Sequence, residues 1–119
     1  MRQTFEATVE WAKGQPPSQY RRHALAEVAL LVEASAAISY GTARRMAAGE
    51  DAVREVTQAK LLTQRANVQV QEACMNLRGY EGALVETGIE RALRDARLGP
   101  IGGGTDEIMK EILGRSFGL

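Results

Sequence analysis

The residues best able to meet a ligand lie between Arg94 and Leu113. A charged segment, Arg94-Asp95-Ala96-Arg97, runs into Gly99-Pro100; Gly102-Gly103-Gly104 follows, and Thr105-Asp106-Glu107 opens a further helix. Successive glycines let backbone approach a ligand where a side chain would clash. A helix N-terminus behind them offers unpaired N–H donors at the positive end of its dipole, a cradle for phosphate or flavin. The same pattern also describes a flexible turn before an N-capped helix. His23, the only histidine, stands near a helix start and reads as a surface or capping residue. Cys74 flanks an apolar seam and reads as packing. Arg21-Arg22 and Arg44-Arg45 read as solvated helix faces, with anion contact the lesser reading. No carboxylate pair or Cys/His cluster has metal-ligand spacing, so no metal site is assigned.

The elements that must position these residues are helices. Alanine is abundant, only three prolines occur, and no alternating β-branched run appears. Residues 2–13 predict a short helix. Gly14-Gln15-Pro16-Pro17-Ser18 breaks it, with Ser18 as the next N-cap. A long helix follows to about Ala48, with Leu25, Val28, Val32 and Ala36 along one stripe and Leu31 and Ile38 widening it. A third, about 51–78, carries Val56, Ala59, Thr63, Ala66, Val70, Ala73 and Leu77 at alternating spacings of three and four. This is a seam of mostly small residues suited to close antiparallel packing. Gly79 and Gly82 end it. A fourth helix is expected over 84–97, burying Val85, Ile89, Ala92, Leu93 and Ala96. The last, 105–113, buries Ile108, Met109, Ile112 and Leu113, with Gly114 as its stop. The expected fold is all-α: an up-down antiparallel four-helix bundle with a short extra C-terminal helix, residues 1–119 forming one domain.

Composition narrows the function classes. Fifteen basic residues balance fifteen acidic ones, against the basic excess of nucleic-acid binders. One cysteine allows no intrachain disulfide, consistent with a reducing, cytoplasmic setting. Met1-Arg2-Gln3-Thr4-Phe5-Glu6 has no apolar signal core, and no apolar run is read as approaching the roughly twenty residues of a membrane span.

Four segments in order resemble the C-terminal domain of the FAD-dependent acyl-CoA dehydrogenases, in particular the long-chain and isovaleryl branch. Phe5 to Lys13 resembles the end of the helix that opens that domain, and His23-Ala24-Leu25-Ala26-Glu27 the start of the next. Arg94-Asp95-Ala96-Arg97 and Gly104-Thr105-Asp106-Glu107-Ile108 resemble its closing motifs. The resemblance implies α,β-dehydrogenation of acyl-CoA thioesters, in which a base removes the α-proton and FAD accepts the β-hydride. It implies flavin contacts at Gln19, Asn76, Gly79, Gly104, Thr105 and Glu107.

Three departures qualify it. The family's Gln-x-His-Gly-Gly-x-Gly turn, which touches the flavin nucleotide of a neighbouring subunit, here has Asn76, Arg78 and Tyr80 for the glutamine, the histidine and the second glycine. Tyr80 restricts backbone approach, while Arg78 could meet a phosphate. The family's Arg-x-x-Phe-Gly motif is absent between Lys13 and Gln19, a gap on the order of two helical turns. Gly103 stands where many members carry the catalytic glutamate, and the alternative position used by the long-chain branch falls upstream of Met1. The chain is therefore expected to be a stand-alone or truncated piece, inactive by itself and binding FAD weakly or not at all. Its partner is a second copy, or a chain supplying the missing domains, with acyl-CoA bound only in a complete assembly. The rival reading is a non-catalytic oligomerisation or interaction module that has lost the flavin site.

Overall fold

The computed structural model describes all of residues 1–119 as helices and turns, in a body of 52 × 24 × 24 Å. The helices are α1 (Arg2–Lys13), α2 (Gln19–Ala47), α3 (Val53–Arg78), α4 (Ile89–Ala96) and α5 (Asp106–Arg115). Two 3-10 turns, Gly79–Ala83 and Val85–Thr87, lie between α3 and α4. α3 is the axis of the fold: α1, α2, α4 and α5 all pack against it.

Local chemistry sets the boundaries. The Ser18 hydroxyl accepts from the Arg21 N–H at 3.3 Å and starts α2 as its N-cap. The α2–α3 connection turns on Gly49, at φ +77, and the Asp51 carboxylate accepts from the Val53 N–H at 3.2 Å. At Gly79, φ +60 ends α3 in a conformation that a side chain disfavours.

The core is small. Val28 and Val32 of α2 meet Val70 and Cys74 of α3, with Phe5 of α1 and Leu31 packed around them. Ser35, Thr42 and Thr57 also occupy buried seam positions, which an apolar stripe does not anticipate. Two of these hydroxyls donate back along their own helices, Ser35 to the Leu31 carbonyl and Thr57 to that of Val53, each at 2.7 Å. That bond makes a hydroxyl tolerable inside a seam. Leu25, Leu31, Ala36 and Ile38 are half-buried, flanking the buried pair Val28 and Val32.

Several expectations are corrected. The fourth helix begins at Ile89, not near 84, because Gly88 adopts a left-handed φ of +68 and the preceding residues wind into 3-10 turns. Val85 is consequently 76% exposed, while Ile89 and Ala96 are buried as expected. Val56 is 40% exposed, since it lies where α3 passes the α2–α3 turn and lines an open groove. Ile108 faces outward, α5 buries no residue fully, and the helix continues through Gly114 to Arg115. The reading that no run approaches membrane length is also corrected. α2 holds an 18-residue window long and apolar enough to cross a membrane by length and composition, only 17% of it buried. Leu25, Val28, Leu30, Leu31, Val32 and Ile38 supply most of that apolarity, and alanines fill the positions between them.

Candidate functional site

The glycine segment is a built loop. Gly99 and Gly102 donate their N–H groups to the carbonyls of Ala96 and Leu98, and Asp106 donates to Pro100 at 3.0 Å. Gly103 and Gly104 adopt φ of +65 and +96, in the left-handed region that favours glycine. The Thr105 hydroxyl accepts from the Ile108 N–H at 3.4 Å and caps α5.

α3 holds this loop from one side. The Lys60 ammonium donates to the carbonyl oxygens of both Gly99 and Gly104, so one side chain ties the two ends together. One turn further on, Arg65 pairs with Asp106 at 2.8 Å. Gln64 lies so close to Gly99 that a Cβ there would come within 2.0 Å of its Oε1. Lys60 escaped the sequence reading. A single lysine one residue from the seam position Ala59 was its only signal.

A groove of about 520 Å³ opens beside Gly103, between the α2–α3 turn and α5. Met46, Val56, Met109 and Ile112 form apolar walls, Lys60 borders the loop, and Glu50 and Asp51 stand at the rim. Both rim carboxylates are engaged within the chain. Glu50 pairs with Arg45 at 2.8 Å and Asp51 caps α3. Gly103 presents only open space: a Cβ there would meet nothing closer than the Lys60 Cε at 3.8 Å.

The six sequence-derived contact residues form two groups. Gly104, Thr105 and Glu107 lie on the glycine loop and the start of α5, against the Lys60–Arg65 stretch of α3. Gln19, Asn76 and Gly79 belong to the other end of the bundle, at the first residue of α2, the last turn of α3 and its cap. From Lys60 to Arg78 is about 27 Å along the helix axis.

At this second end a cluster unremarked in the sequence closes α1 onto the bundle. The Trp11 indole N–H donates to Glu81 at 2.8 Å, and Arg78 donates to the Ala7 carbonyl at 2.5 Å. The guanidinium groups of Arg21 and Arg78 lie 5.4 and 5.5 Å from the centroid of the Trp11 ring. Arg78, expected as a phosphate contact, is thus committed to α1. Tyr80 points outward, and a Cβ on Gly82 would come within 2.6 Å of the Met75 carbonyl, so that glycine is needed for packing alone.

The fit to FAD is therefore partial. The two groups are too far apart to grip one nucleotide as a single cradle. At α5, the N–H groups of Asp106 and Ile108 already have acceptors within the chain. One chain does not assemble the cofactor's site. His23 is exposed on α2, and Cys74 is buried, its thiol pushed up by that burial. No group of three or more metal-ligating side chains converges.

Comparison with known proteins places these observations in context. A family model described as acyl-CoA dehydrogenase, C-terminal domain, matches residues 1–118. The probable acyl-CoA dehydrogenase YngJ of Bacillus subtilis is 28% identical over 120 residues, covering 95% of this chain and 32% of that protein. The crystal structure of a probable acyl-CoA dehydrogenase from Mycobacterium abscessus superposes with a TM-score of 0.91 at 33% identity, covering 96% of this chain and 32% of that one. The FAD complex of PigA superposes with a TM-score of 0.92 at 26% identity, covering 98% and 32%. The chain spans about a third of the length of these relatives.

Proposed function

This chain belongs to the acyl-CoA dehydrogenase family as its C-terminal helical domain, and from that premise we propose that it supplies this part of a flavin-dependent acyl-CoA dehydrogenase assembly and is inactive by itself. Residues 1–119 act as one domain. The observation that carries the reading is the glycine loop tied at both ends by Lys60 and leading into the Thr105-capped α5. That is where the resemblance puts flavin contacts at Gly104, Thr105 and Glu107.

Catalysis needs a base within hydrogen-bond reach of the α-carbon. Gly103 has no side chain, and the nearest loop carboxylates are Asp106 and Glu107. Asp106 is held by Arg65, and Glu107 stands where the resemblance puts a flavin contact, not the base. The base therefore comes from outside these residues, in the manner of the long-chain and isovaleryl branch. Flavin contacts split between two ends of α3 suit two cofactors shared between subunits, so a homo-oligomer, or a partner chain supplying the remaining domains, completes the site. Too few contacts remain in one chain to offset the ordering cost of binding FAD.

The test is titration of the purified chain with FAD by calorimetry, followed by dye reduction with acyl-CoA thioesters of several chain lengths. We expect no submicromolar FAD affinity and no turnover. Turnover abolished by Glu107→Gln would overturn the reading. Activity appearing when a second protein is added would support the assembly. The alternative, a non-catalytic interaction module, is favoured by the commitment of Arg78 to α1 and by Tyr80 in the glycine turn. It predicts that no added dehydrogenase component restores activity.

A further inference from the structure

One methionine is built into the glycine loop. Met109 stands one turn behind the Thr105 cap, its N–H donating to the Thr105 carbonyl at 3.0 Å. Its thioether lies against Gly104: a Cβ there would come within 2.6 Å of the Met109 Cε and 3.8 Å of its Sδ. Gly104 is therefore held from two sides, its carbonyl by the Lys60 ammonium and its α-carbon by this thioether. The contact is close but not sealed. Met109 is half-buried and lines the groove of about 520 Å³ that opens beside Gly103. Met46, 58% exposed, stands on the α2 side of the same groove.

We infer that Met109 is an oxidation-sensitive peg: hydrogen peroxide entering this groove converts its thioether to a sulfoxide, and the glycine loop and the start of α5 come loose. The sulfur attacks one peroxide oxygen. An S–O bond forms and the O–O bond breaks; the departing hydroxide takes the proton of the transferred hydroxyl and leaves as water. The sulfur loses two electrons and the peroxide gains them. The product is polar, chiral and one oxygen larger. Its dipole favours water over the apolar lining of the groove. Its added oxygen must fit beside an α-carbon that the methyl group already meets closely. It also brings a strong acceptor into the groove that Lys60 borders, in competition with the Gly99 and Gly104 carbonyls for that ammonium. These effects act on a helix with no fully buried residue to hold it. Met46 is exposed and belongs to α2, outside the loop and α5, so it serves as the internal control. The inference concerns the loop of this chain alone and does not rest on the proposed function.

The test is hydrogen peroxide treatment of the full chain, followed by peptide mass mapping and limited proteolysis, on the wild type, Met46→Leu, Met109→Leu and Met109→Gln. Leucine keeps the volume without the sulfur. Glutamine supplies a polar end without the oxidant. Mapping should show Met46 converted first and Met109 next, while far-UV circular dichroism keeps its native signal. Cleavage within residues 97–105 should rise about tenfold with conversion of Met109, in the wild type and in Met46→Leu. It should stay unchanged in treated Met109→Leu and stand raised in untreated Met109→Gln. Methionine sulfoxide reductases should return the oxidised wild type to its starting rate. Met109 that stays reduced while Met46 is converted overturns the site. Treated Met109→Leu that is cleaved as fast as the treated wild type places the sensitivity elsewhere and overturns the peg. Complete conversion of Met109 without faster cleavage overturns the loosening. Mapping, cleavage and reductase reversal on the wild type decide the matter even where a Met109 variant fails to fold.

Discussion

At the scale of single residues, two glycines have opposite roles. Gly82 is boxed in by the Met75 carbonyl, whereas Gly114 lies in a helix where an added methyl group would meet nothing within 4 Å. Gly82→Ala should destabilise by about 1–3 kcal/mol through overpacking, and Gly114→Ala should stabilise by about 0.5–1 kcal/mol through helix propensity. Thermal melts of the two variants would check the opposed signs. Lys60→Met leaves the Gly99 and Gly104 carbonyls without their shared donor, and a cost of about 1–3 kcal/mol is expected. Its signature is faster proteolysis confined to residues 97–105. The Cys74 thiol is buried and biased towards its protonated, unreactive form, so thiol reagents should modify it only as fast as the chain opens.

At the scale of elements, periodicity located the helices, but it did not say which face of each finds a partner within the chain. Ser18 and Thr105 were legible as caps because a hydroxyl at a helix start has one dominant use. The glycine loop was legible because consecutive glycines disfavour both helix and strand and leave a turn as the stable outcome. Val85 and Val56 were misplaced because burial depends on neighbours distant in sequence. Lys60, Trp11 and Glu81 were missed because their roles exist only once α1, α3 and the loops meet. α1 is tied down partly by charge: Arg2 donates to Glu33 of α2 at 2.9 Å and holds that carboxyl below its usual range. A carboxylate with a depressed folded pKa contributes stability that is present above its unfolded value and is lost as pH falls through the folded one. The attachment of α1 should therefore loosen on acidification below the ordinary carboxylate range. Trp11 fluorescence against pH would show it, with Glu33→Gln flattening that part of the profile. The pair is exposed, so the effect is small.

At the scale of the whole molecule, the sequence revealed the all-helical class, the order of the helices and the family resemblance, because each rests on local pattern. It did not reveal that the candidate flavin contacts lie at two ends of one helix, since separation along α3 becomes a distance only when the other helices fold against it. That arrangement carries a prediction for assembly: titrating FAD into the isolated chain should give no tight site, whereas a complete assembly should bind with a stoichiometry of one flavin per copy of this domain. Calorimetry on both would decide it.

The absence of any fully buried residue in α5 has a further consequence for motion. A helix held by half-buried side chains, one ion pair, Arg54 of α3 at its C-cap Ser116 and a lysine on its loop can open by itself while α2 and α3 stay paired. Amide protons of α5 should exchange with solvent through a local opening whose free energy lies below that of global unfolding, and Lys60→Met should widen that gap. The glycine loop is then carried on a segment that can detach by itself, so a partner that closes over it would slow exchange in α5 long before it raised the melting temperature of the bundle.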